Sequence, residues 1–145
     1  MPEEIKILGI SIYSQTSSFR RTARILSELH PVSYNAVRRW IKKIEERLPI
    51  ATEKKQRNLI ALDETVVKAN KKHYYVYSAV DVKRNELILM KVYTTRNWLV
   101  TRSFIKEVLK YCDNKPKFVI DRASWLTQSL ESLKLEYEHE GFREA

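Results

Sequence analysis

The chain has 145 residues, room for one ordinary domain or for a small domain with a compact neighbour, and its hydrophobic fraction of 43% with only two Gly argues against disorder. A net charge of +9 and a pI of about 9.7 point to a polyanionic partner, most simply nucleic acid, although a merely basic soluble protein satisfies the charge equally well. One cysteine, Cys112, three scattered His, an acidic start at Met1-Pro2-Glu3-Glu4 and no long apolar run exclude a disulfide scaffold, a zinc site, a signal peptide and a membrane span, and predict a cytoplasmic protein.

A first helix is predicted over residues 1–16 from Ile5, Leu8, Gly9 and Ile12, with Ile10 and Ser11 blurring its face. Ser17 or Ser18 can cap a second helix over 17–29, whose stripe is Phe19, Thr22, Ala23, Leu26 and Leu29, with Arg20, Arg21 and Arg24 beside it. His30-Pro31-Val32 breaks the helix, because a proline disfavours helical backbone at the residue before it. Ser33 then caps a third helix with Val37, Trp40, Ile41, Ile44 and Leu48 on one face and Asn35, Arg38, Arg39, Lys42 and Lys43 on the other; Pro49 ends it.

A helix, a short turn and a capped helix with a basic outer face form the helix-turn-helix pattern. Tyr34, Asn35, Arg38 and Arg39 lie where major-groove readers sit; Asn and Arg can contact base edges bidentately, Lys42 and Lys43 suit phosphates, and Arg20, Arg21 and Ser33 complete the expected DNA-binding set. Residues 17–43 hold seven Lys/Arg and one acid, Glu28, a local charge of +6. The same pattern also describes the solvated face of a helical bundle.

Residues 51–57 are mostly polar and read as a linker between a helix-turn-helix domain at 1–50 and a second domain at 58–145. From residue 59 the periodicity becomes strand-like. Strands are predicted over 59–68, 73–81 and 86–93, a meander, followed by a helix over 98–111, a strand over 117–121, a helix over 124–133 and a strand over 135–138. The order β-β-β-α-β-α-β makes the chain α+β, a mixed sheet with helices behind an N-terminal helical unit.

Two of these strands carry acids in apolar company: Leu59-Ile60-Ala61-Leu62-Asp63-Glu64-Thr65 and Lys117-Phe118-Val119-Ile120-Asp121-Arg122. Alternation puts Asp63 on one face and Glu64, expected to pair with a Lys, on the other. Either Asp alone reads as a cap or an ion-pair partner. The two together suggest neighbouring strands whose carboxylates repel and accept a divalent cation. Asp81 reads as a turn former, Trp98 and Trp125 as core anchors, and His139 as solvated.

This order of elements, with an Asp on the first strand and another ending the fourth, resembles the ribonuclease H-like fold. The phrases Ala61-Leu62-Asp63-Glu64-Thr65, Tyr77-Ser78-Ala79-Val80-Asp81, Val119-Ile120-Asp121-Arg122 with Trp125, and Tyr137-Glu138-His139 resemble the DDE transposases of prokaryotic insertion sequences. Those proteins carry a helix-turn-helix, here matched through Val32-Ser33 and Val37-Arg38-Arg39-Trp40, before an integrase-like core. The resemblance implies DNA cleavage and strand transfer in transposition, with Asp63 and Asp121 as catalytic acids and ligands of Mg²⁺ or Mn²⁺. It implies double-stranded DNA at transposon ends as the partner, and homo-oligomers on that DNA. The third acid, a Glu on a later helix, has Glu140 and Glu144 as candidates. The resemblance predicts that the last helix is missing, so the alternative is a catalytically inactive, truncated transposase that binds DNA and inhibits the full-length enzyme.

Overall fold

The switch from helical to strand periodicity is borne out in a computed structural model, which describes residues 3–120 and 124–139. Three helices come first: α1 (Glu3–Thr16), α2 (Phe19–Leu26) and α3 (Tyr34–Arg47). The rest is β1 (Leu59–Ala69), β2 (Lys72–Asp81), β3 (Glu86–Tyr93), α4 (Trp98–Leu109), β4 (Lys117–Ile120), α5 (Ser124–Ser132) and β5 (Tyr137–His139). The sheet order is β3-β2-β1-β4-β5. β1 to β3 are antiparallel, β4 runs parallel to β1, and β5 runs parallel to β4. This is the predicted α+β, ribonuclease H-like mixed sheet.

Local chemistry explains the boundaries. Ser18 Oγ accepts from the Arg21 backbone N–H at 3.1 Å, and Ser33 Oγ from that of Ala36 at 3.2 Å, so both helices begin on orphan donors that are satisfied. Asn70 and Lys71 take φ of 50° and 62°, the left-handed pair that a two-residue hairpin needs between Ala69 and Lys72. β5 starts two residues later than predicted. Lys134 turns left-handed at φ 58° and Leu135 is buried, its N–H donating to Leu130 O at 3.0 Å, so that residue closes α5 instead of opening the strand.

The sheet is covered on both faces. Ile60, Leu62, Tyr77, Ala79 and Ile88 pack against Phe104, Ile105 and Val108 of α4 and Leu126 and Leu130 of α5. On the other face, Val67 and Val76 pack against Ile5, Leu8 and Ile12 of α1. Ile10 and Tyr13 of α1 join Ala23, Val37 and Ile41 in a third cluster. α1 therefore lies between the sheet and α2–α3, which is why its apolar pattern looked blurred: it serves two neighbours. Residues 51–57 are tied to the core. Ala51 N donates to Leu87 O, Lys55 N to Tyr111 O, and Arg57 is 1% exposed.

Trp98 is not the core anchor predicted; it is 41% exposed. The buried face of α4 is Thr101, Phe104, Ile105 and Val108, and Trp98 sits one turn before it, at the helix start capped by Asn97.

Candidate acidic site and basic helical face

The central strand presents the acid. Asp63 is exposed on β1, on the face that also carries Val67. Its Oδ1 accepts from the Glu64 backbone N–H at 2.9 Å. In the parallel β1–β4 pair, Ala61 is opposite Val119, and each residue stands two positions before an Asp in the sequence, Asp63 and Asp121. Asp121 itself, Arg122, Glu140 and Glu144 lie outside the described residues.

Glu64 points to the opposite face, as alternation predicts, beside Tyr77 of β2. Its partner is Arg96, not a Lys: Arg96 Nη1 donates to Glu64 Oε1 at 2.9 Å. The only lysine on β1 is Lys68, four residues on, whereas Arg96 reaches across from the β3–α4 connection. The guanidinium lies 4.5 Å from the Trp125 ring centroid and 5.0 Å from that of Tyr75. The hydrogen bond to Glu64 leads the causes that raise the Arg96 pKa above its ordinary value. Burial pushes the Tyr77 phenol up despite its 2.9 Å hydrogen bond with Thr101, and the charge of Glu64 adds to the rise.

The basic residues predicted to meet DNA are all on the helical layer, and most are solvent-facing. Asn35, Arg38, Arg39 and Lys42 are exposed and line one shallow depression on α3. Lys43 and Arg39 also border a second groove between α1 and α3. Arg20 of α2 stacks over the Tyr34 ring at 4.3 Å, joining the first turns of α2 and α3; Arg21 is exposed beside it. Ser33 uses its hydroxyl to cap α3.

Residues 57–142 match the family model described as a DDE domain, DDE_Tnp_IS240. The chain belongs to the DDE-domain family. It is 40% identical over 135 residues to the uncharacterized protein MJ0017 of Methanocaldococcus jannaschii, covering 93% of this chain and 63% of that protein. The DDE chain thus spans under two thirds of that relative's length. Among solved structures, it resembles the magnesium complex of the HTLV-2 integrase catalytic core domain in its trimeric form. That likeness has a TM-score of 0.49 and 15% identity, over 64% of this chain and 66% of that one. A second similar structure is a simian T-cell lymphotropic virus intasome in complex with PP2A regulatory subunit B56 gamma. There the TM-score is 0.49 and the identity 11%, over 91% of this chain and 51% of that one.

One acid of the expected set, Asp63, is among the described residues, and its chemistry suits the metal that the resemblance implies. Asp63 offers an exposed carboxylate, the hard oxygen ligand that Mg²⁺ and Mn²⁺ take. Among the described residues no three His, Cys, Asp or Glu stand close enough to hold an ion. No helix among the described residues is long and apolar enough to cross a membrane.

Of the ionic contacts of this DDE chain that the sequence did not announce, two involve enclosed carboxylates. One is Glu64 with Arg96. The other is Arg57 with Asp81 and Glu86, built from a stretch read as linker. Asp81 does form the predicted turn, accepting from Arg84 N at 2.9 Å, but its other oxygen takes Arg57. Residues 51–57 carry no local signal for it: Arg57 stands between Gln56 and Asn58, before the strand opens at Leu59.

Proposed function

We propose that this chain works on double-stranded DNA as a transposase, carrying out metal-dependent cleavage and strand transfer at the ends of a mobile element. The observation that carries the reading is the parallel register of β1 and β4 in a DDE-family chain: Ala61 pairs with Val119, each two residues ahead of an Asp. Two carboxylates brought together repel, and a divalent cation relieves that repulsion. A bound Mg²⁺ or Mn²⁺ supplies Lewis-acid stabilisation of the phosphodiester and activation of the attacking oxygen.

The chain's own residues do the rest. Asp63 and Asp121 hold the ion, and Glu140 and Glu144 are the candidates for the third acid. The basic face positions the duplex. Asn35, Arg38 and Arg39 face base edges; Arg20, Arg21, Lys42 and Lys43 face phosphates, and Tyr34 holds Arg20 in place. α2, the turn and α3 act as the helix-turn-helix, the acids as the reaction centre, and copies of the chain assemble on DNA.

The test is a nicking and strand-transfer assay on element-end duplex with Mg²⁺ or Mn²⁺, beside Asp63→Asn and Asp121→Asn. Metal-dependent products that vanish in both variants are expected. Products indifferent to Asp63→Asn end the reading. Duplex binding without product under any condition favours the non-catalytic, DNA-binding alternative.

A further inference from the structure

One cluster of polar groups, on the sheet face opposite Asp63, has no role in the reaction as proposed. Glu64 is 9% exposed at its side chain, and only its Oε1 meets Arg96. Its Oε2 is buried and meets no donor at full hydrogen-bond geometry among the described residues, although the Tyr77 phenol lies close enough to interact with the carboxylate; Trp125 Nε1 is buried without an acceptor among them. A buried carboxylate needs such donors, and a buried indole N–H without an acceptor is costly. Arg96 lies between them, bonded to one and stacked on the ring of the other. Through these contacts and the Tyr75 ring, one side chain from the β3–α4 connection holds β1, β2 and α5.

The position of these elements gives the cluster its meaning. Glu64 follows Asp63 directly, and its N–H anchors an Asp63 oxygen. Trp125 lies four residues after Asp121, in the first turn of α5. A functional carboxylate pair must be held to within about 0.5 Å of its working geometry, and supporting groups do that holding.

We propose that Arg96 is a positioning residue for the acidic pair: by joining Glu64 on β1 to Trp125 on α5, it fixes the strand bearing Asp63 against the helix that follows Asp121. The proposal rests on the reading of those aspartates as metal ligands. Arg is suited to the place because its planar guanidinium stacks on rings while its edge bonds a carboxylate; Lys can keep the charge but not the stack.

The experiment measures Mn²⁺ affinity of the full chain by calorimetry and by electron paramagnetic resonance, with circular dichroism confirming the fold. The variants are Asp63→Asn, Arg96→Gln, Arg96→Lys and Glu64→Gln. Loss of binding is expected in Asp63→Asn. Arg96→Gln and Glu64→Gln weaken binding about 10- to 100-fold, the usual effect of removing a group that supports a metal ligand. Arg96→Lys recovers part of the loss. Should Arg96→Gln fail to fold, Glu64→Gln and Arg96→Lys carry the test. If Asp63→Asn abolishes binding while the folded Arg96 and Glu64 variants bind as the parent does, the positioning role is overturned and the metal reading stands. If Asp63→Asn binds as the parent does, the metal reading falls and takes this proposal with it.

Discussion

Arg57 Nη1 donates to Asp81 Oδ2 at 2.8 Å, with both side chains wholly enclosed. The same nitrogen reaches Glu86 Oε1 at 2.8 Å, while Nε and Nη2 bond the carbonyls of Tyr111 and Glu53. The network therefore stitches residues 53–57 to β2, β3 and the end of α4. Arg57→Ala strands the Asp81 charge, and breaking such a buried pair costs about 3–5 kcal/mol. The double variant Arg57→Met, Asp81→Asn removes both charges and keeps an acceptor for the Arg84 N–H. It should unfold at a higher urea concentration than Arg57→Ala. A double variant weaker than the single one would mean that the hydrogen bonds, not the stranded charge, dominate.

The network also predicts a pH dependence. Hydrogen bonds from Arg57 and from Lys55 hold the Glu86 carboxyl below its ordinary value, against an opposing push from burial. The folded protein thus binds this proton less readily than the unfolded chain. The stabilisation is fully present above the ordinary Glu value of about 4.3 and is lost as pH falls through the lower folded value. Urea midpoints measured from pH 7 down to pH 3 should fall more steeply for the parent than for Glu86→Gln. Parallel curves would show that Glu86 contributes nothing to acid sensitivity.

Gly9 fixes how closely α1 and α3 approach. A Cβ at this position would meet Trp40 Cζ3 at 2.7 Å and Leu26 Cδ2 at 3.2 Å. Alanine gains up to about 1 kcal/mol of helix propensity over glycine. Overpacking against a ring costs about 1–3 kcal/mol, so the clash wins. Gly9→Ala should lower the thermal midpoint, and Gly9→Ala with Trp40→Leu should recover part of the loss. A stabilised single variant would mean that the helices separate more easily than this packing implies.

The elements were legible because each rests on local chemistry. Ser18 and Ser33 cap as their hydroxyls dictate, and the alternation of Ile60, Leu62 and Glu64 against Asp63 follows from strand geometry alone. That β1 and β4 are neighbours was expected from their two acids in apolar company, and the parallel pairing agrees with it. What stayed hidden was non-local. Nothing near Glu64 announces Arg96, which is 32 residues away, and nothing in residues 51–57 announces that Arg57 will be enclosed by an acid from β2. Trp98 was misread because a large apolar residue at a helix start is buried only if the layer beneath extends that far. Asp63 was placed on the correct strand and on the face opposite Glu64, because strand alternation is local.

The last prediction concerns the basic face and is quantitative. Arg20, Arg21, Arg38, Arg39, Lys42 and Lys43 are exposed, and the Arg20–Tyr34 stack joins the first turns of α2 and α3. A protein that neutralises phosphates releases counterions, so the logarithm of affinity falls linearly with that of salt, by about 0.9 per phosphate contact. If Lys42 and Lys43 touch phosphates, each Lys→Ala change should reduce that slope by about 1 and weaken all duplexes alike. If Arg38 and Arg39 reach base edges, each Arg→Ala change should cost about 1–3 kcal/mol on the preferred duplex and less on a scrambled one. The two pairs are therefore separable by two titrations, one against salt and one against sequence. Fluorescence anisotropy on labelled element-end and scrambled duplexes at three salt concentrations performs both. Binding indifferent to all four substitutions would remove α3 from the interface. Equal losses on both duplexes for Arg38 and Arg39 would leave α3 as a phosphate clamp and move sequence reading elsewhere in the chain.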